Sequence, residues 1–131
     1  MNEVLLIINA ILIGIILVTQ IVSYPLLLVV KESNFRNYHT IYTKRISIVV
    51  LPLMLSELFI TTYILIFDPN PNHVFAALML LFIWLSTFFI QVPIHNIISK
   101  SKSTKLIKKL IISNWLRTSL WIIKFFFLIS L

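Results

Sequence analysis

The sequence predicts an all-α protein, an integral membrane four-helix bundle of up-down topology, and three observations carry that prediction. Hydrophobic residues make up 60% of the 131 positions and there is one glycine, whereas apolar types reach only about 45–50% in soluble domains. The apolar residues fall into four stretches, each near the roughly 20 residues that a helix needs to cross the hydrocarbon core. The connections between them are short, so consecutive helices run in opposite directions and little chain is left for a soluble catalytic module.

The first span, about residues 4–30, carries only Asn9, Thr19, Gln20, Ser23 and Tyr24 as interior polar groups. It lacks the basic n-region and short apolar core of a secretory signal, so it is expected to stay in the mature chain. The second span is clearest over residues 46–67 and extends back to about residue 34 if Ser33 caps a helix that starts in the interface. Asp68-Pro69-Asn70-Pro71-Asn72 ends it, because two prolines alternating with Asn cannot continue a helix. The third span covers about residues 74–98. After the polar run from Ser99 to Lys105, the fourth covers about residues 107–131. Pro25, Pro52 and Pro93 lie inside three of the spans and are expected to kink them, freeing carbonyls and opening room between helices.

Lys31, Arg36, Lys44 and Arg45 flank the first connection, and Lys100, Lys102, Lys105, Lys108 and Lys109 flank the third. The positive-inside rule then puts both basic connections in the cytoplasm and both termini on the other side, as in a multi-pass protein of a bacterial-type inner or plasma membrane. The net charge of +7 is explained by this arrangement and by attraction to anionic lipid headgroups, so no nucleic-acid partner is expected. Cysteine is absent, which excludes disulfides, thiolate catalysis, iron–sulfur ligation and covalent haem attachment.

Glu57 and Arg117 each lie well inside an apolar stretch, where an ionisable group costs about 2.5–3.5 kcal/mol and marks a functional or pairing position. At about 1.5 Å rise per residue, Gln20, Glu57 and Arg117 fall about 15 Å from the cytoplasmic edge, Gln91 and Asn114 about 10 Å, and His95 about 5 Å. Helical phase gathers Trp84, Thr87, Gln91 and His95 on one face of the third span and Asn114, Arg117, Thr118 and Trp121 on one face of the fourth. The expectation is a polar intramembrane site with Glu57 paired to Arg117. A helix continuous from residue 33 would also bring His39 to His95. A plainer role exists for each group: the ion pair fixes helix register, and the Gln and Asn amides join helices at about 0.6 kcal/mol each. Lys124 is expected to snorkel toward the nearer interface, and His73, beside the Pro-Asn turn, to be solvated.

Val92-Pro93-Ile94-His95-Asn96 and Asn114-Trp115-Leu116-Arg117-Thr118, on consecutive helices, resemble the pattern of anthrone-oxygenase-like integral membrane proteins, in which a Pro-x-x-Asn precedes a Trp and an Arg-Thr. The similarity covers the last third of the chain and the helix count. It implies a shared core of Pro93, Asn96, Trp115, Arg117 and Thr118 around a planar aromatic or polyketide-like molecule. Glu57 and His39 lie outside it.

Three functional readings follow. In the first, Trp84, Trp115 and Trp121 line a pocket for a lipophilic, aromatic or quinone-like ligand, with Gln20, Gln91, Asn114 and Thr118 as further contacts. Arg117 then holds a carbonyl or oxyanion while Glu57 or His95 moves a proton, the arrangement of an oxidoreductase or oxygenase. Haem held by His39 and His95 is a variant of this reading. In the second, a homo-oligomeric proton-coupled transporter uses Glu57 and Arg117. In the third, the chain is an accessory subunit of a larger membrane complex.

Overall fold

A computed structural model describes residues 1–130. The chain forms four helices, α1 (Asn2–Val29), α2 (Glu32–Phe67), α3 (Pro71–Ile98) and α4 (Thr104–Ile129), each long and apolar enough to cross a membrane. The last position of the expected fourth span, Leu131, lies outside the described residues. The α1–α2 and α3–α4 connections share one end of the bundle, here the basic end, and the α2–α3 connection lies at the other.

α2 begins well before the expected position 46, at Glu32, with Lys31 rather than Ser33 at its N-cap. Proline and asparagine set the start of α3. Pro71 occupies the first turn, where its missing N–H leaves no bond unmade, and the Asn70 side chain accepts the His73 backbone N–H at 2.9 Å. Ser103 caps α4 in the same way through the Leu106 N–H, at 3.3 Å. Lys102 closes the basic end by donating from Nζ to the carbonyls of Leu28 (3.0 Å) and Val30 (2.6 Å), which terminates α1 with a cation at its negative pole.

Prolines act differently in α1 and α3 than in α2. Thr19–Ser23 and Thr87–Gln91 are π-helical turns, each ending two residues before a proline, Pro25 and Pro93. A proline ring clashes with the carbonyl four residues back, and one widened turn moves that carbonyl away. Both turns open on a threonine whose hydroxyl bonds the carbonyl four residues earlier, Thr19 to Ile15 and Thr87 to Ile83. Thr-x5-Pro is therefore one device used twice, in helices of equal length (28 residues). Pro52 sits inside an uninterrupted α-helix.

α4 packs along both α1 and α3, while α2 packs on the parts of α1 and α3 that precede the π-turns. Past those turns α2 stands off until its first two turns redock: Phe35 joins Tyr24, Leu27, Ile94, Ile98, Ile107 and Leu110 in a core at the basic end. A second core (Leu5, Ile60, Ile64, Ala76, Leu128) fills the other end. A third lies between them around Leu12, Ile16, Met54, Ile83 and Trp121. The gap left beside the middle of α2 is the cavity described next.

Candidate ligand-binding site

The cavity has a volume of about 330 Å³ and takes side chains from all four helices. α1 contributes Thr19 and Tyr24, α2 contributes Tyr42, Thr43 and Ser47, α3 contributes Trp84, Gln91 and His95, and α4 contributes Arg117 and Trp121. Its rim is exposed along one seam only, at Ser47 and Leu51 of α2 and Phe88, Val92 and Asn96 of α3. The opening is therefore lateral, between two helices, rather than at the end of the bundle.

Arg117 dominates the polar lining. It is 7% exposed, its guanidinium lies 5.4 Å from the Trp121 ring centroid, and Nη1 donates to Asn114 Oδ1 at 3.4 Å. Its Nε is buried with no partner among the described residues. The same holds for two other groups of the lining, Trp84 Nε1 and Gln91 Oε1. Buried polar groups normally find partners, and leaving one without costs about 1–3 kcal/mol. These three groups around one cavity are two donors and one acceptor.

Behind Arg117 the amides are fully committed. Gln20 donates to the Ile111 carbonyl (2.8 Å) and accepts from Asn114 Nδ2 (2.8 Å), which leaves Asn114 Oδ1 for Arg117. Thr118 bonds the Asn114 carbonyl at 3.0 Å. Gln20, Asn114 and Thr118 are absent from the cavity wall; they hold the arginine in place. Gln91 does reach the wall, anchored by Nε2 donating to Ser113 Oγ at 3.0 Å.

Toward the basic end the cavity closes on a chain of three groups. Tyr24 Oη lies 3.1 Å from His95 Nε2, and His95 Nδ1 lies 2.9 Å from His39 Nε2. The approach of His39 to His95 follows from α2 being continuous from Glu32. Phe35 stacks on His39 and completes the closure. Tautomers set the proton direction along the chain. Tyr24, expected on the inward face of the first span but not as a site residue, directly follows the π-turn and precedes Pro25.

Glu57 departs from expectation. It is fully buried and bonds Lys124 Nζ at 2.6 Å, not Arg117. Asn9 Nδ2 (3.0 Å) and Trp121 Nε1 (3.1 and 3.2 Å to the two oxygens) complete its shell. The snorkelling expected of Lys124 is thereby corrected, since Lys124 is also fully buried. A side chain facing the bundle interior cannot reach an interface, and a carboxylate within reach makes the inward rotamer favourable. Neither Glu57 nor Lys124 borders the cavity. Trp121 joins the two systems, its N–H on Glu57 and its ring under Arg117.

Two other expectations are corrected. Trp115 is 49% exposed and faces away from the bundle, because the three-residue step from Asn114 to Arg117 turns it outward. His73 is buried, not solvated, with Nδ1 donating to the Asp68 carbonyl at 2.6 Å. His39 and His95 face each other through ring nitrogens, and no third His, Cys, Asp or Glu joins them as a metal ligand among the described residues. Comparison with family models, curated proteins and solved structures returns no match.

Proposed function

We propose that this chain is a membrane-embedded binding protein for a lipophilic, aromatic or quinone-like molecule, oriented with its basic end in the cytoplasm. The observation that carries this reading is the unpartnered Nε of Arg117 on a cavity whose lining is mostly apolar and aromatic. Ligand sites have this composition: about 300–1,000 Å³, mostly hydrophobic, with a few fixed polar groups that orient the occupant. A ligand oxygen accepts from Arg117 and Trp84, a ligand hydroxyl donates to Gln91 Oε1, and the ring lies among Trp84, Phe88 and Trp121. The lateral seam between α2 and α3 gives access from the acyl chains, where such a molecule partitions.

The chain Tyr24–His95–His39 favours a second step on the same site, oxidoreductase or oxygenase chemistry with proton exchange between the bound molecule and the basic end. His95 is the group in this chain able to accept a proton from one neighbour and donate to the other. Of the residues that carry the resemblance to anthrone-oxygenase-like proteins, Arg117 and Asn96 border the cavity and Thr118 stands behind Arg117, which is consistent with an aromatic occupant.

Binding is tested by titrating a short-chain benzoquinone into detergent-solubilised protein carrying Trp115→Phe, so that quenching reports Trp84 and Trp121. Saturable quenching weakened about tenfold or more by Arg117→Ala is expected. Quenching that is linear in quinone and indifferent to Arg117 would refute the reading.

A further inference from the structure

The charge balance of the bundle interior defines the ligand more narrowly. The chain has four acidic residues. Glu3, Glu32 and Asp68 are exposed at the helix ends, and Glu57, the one buried acid, is held by Lys124. Two cations, Lys124 and Arg117, are thus buried against one anion. No Asp or Glu lines the cavity, and the titratable groups of the lining that face Arg117 are the phenols of Tyr24 and Tyr42 and the imidazole of His95. An isolated buried charge is far more costly than a paired one, so the occupied state gains most when the occupant brings the missing negative charge.

Geometry specifies the kind of anion. Nη1 of Arg117 is turned to Asn114, whereas Nε is free. The Nε edge of a guanidinium carries two parallel N–H groups, a fork that matches the two oxygens of a carboxylate. The Trp121 ring lies beneath the guanidinium, 5.4 Å from its central carbon. Trp84 Nε1 supplies another unpaired donor in the lining. The lateral seam is rimmed by Leu51, Phe88 and Val92, with exposures of 51%, 56% and 40%, a surface suited to an apolar body that continues into the lipid.

We infer that the ligand is an amphiphilic carboxylic acid, bound as its anion with the carboxylate on the Nε edge of Arg117 and its apolar body in the α2–α3 seam. This inference rests on the binding role proposed above and narrows it from any lipophilic molecule to an acid.

The test compares anthraquinone-2-carboxylate with its neutral, nearly isosteric primary amide in calorimetric titrations of the solubilised full chain at pH 7.5. The acid is expected to bind at least tenfold more tightly than the amide. Arg117→Gln should remove that preference, weakening the acid at least tenfold more than it weakens the amide, and Arg117→Lys, which keeps the charge but not the fork, should retain part of it. The wild-type comparison stands on its own should either variant fail to fold, as judged by far-UV circular dichroism. Equal affinity for acid and amide in wild type overturns the inference and leaves the binding role intact. Failure of both to bind overturns the binding role as well.

Discussion

Replacing Lys124 with methionine removes the cation from Glu57 without changing side-chain length much, and the structure gives the cost. Glu57 is fully buried and its Oε1 receives Lys124 at 2.6 Å. Asn9 and Trp121 remain as neutral donors, which cushion the carboxylate without cancelling its charge. Removing one partner of a buried pair costs about 3–5 kcal/mol; with two donors left, Lys124→Met is expected near the lower end, about 3 kcal/mol. Glu57→Gln should cost a similar amount by stranding Lys124. The double variant removes both charges and should lie within about 1 kcal/mol of wild type, since replacing a buried pair entirely is often neutral. The assay is reversible unfolding in mixed detergent–SDS micelles followed by tryptophan fluorescence. A Lys124→Met cost under about 0.5 kcal/mol, the value for a snorkelling surface lysine, would refute the pairing. So would additive losses in the double variant. The parallel cycle of Glu57 with Arg117 should show little coupling.

Other consequences can be checked separately. Trp121→Phe keeps the ring under Arg117 but deletes the N–H that bonds Glu57, and should cost about 1.5–3 kcal/mol in the same unfolding assay, the range for a hydrogen bond to a charged group. Lys102→Ala should cost about 1 kcal/mol and speed amide exchange in the last turn of α1, because Lys102 holds the Leu28 and Val30 carbonyls. Lys100→Ala, whose side chain is exposed, should change stability by less than about 0.5 kcal/mol. The chain contains no cysteine, so single cysteines report orientation cleanly: Asn72→Cys should react with an impermeant maleimide on intact cells, and Ser101→Cys only after permeabilisation.

The number and approximate extent of the helices were legible because apolar runs and proline-asparagine punctuation are local signals. Convergence of Gln20, Gln91, Asn114, Arg117 and His95 was legible from helical phase. The partner of Glu57 was not, and the reason is axial. Depth taken from Ile46 put Glu57 level with Arg117, but α2 begins at Glu32, 25 residues or about 38 Å before Glu57. On α4, counted from Thr104, Arg117 lies at about 20 Å and Lys124 at about 30 Å. Lys124 is thus the cation nearer the level of Glu57. The π-turns were half legible. Prolines signalled bends at Pro25 and Pro93, but relief by a widened turn is visible in sequence only as Thr-x5-Pro occurring twice. Trp115 entered the site through the resemblance rather than through phase, and phase turns it outward.

The most direct measurement of the central claim, that Arg117 anchors a lipophilic ligand in the bundle, is mass spectrometry of solvent extracts from wild-type protein and Arg117→Gln purified side by side in mild detergent. A ring-containing or acidic amphiphile present at near-stoichiometric amount with wild type and lost from Arg117→Gln is the expected result. Identical extracts from the two proteins, each holding only bulk membrane lipid, would contradict the account.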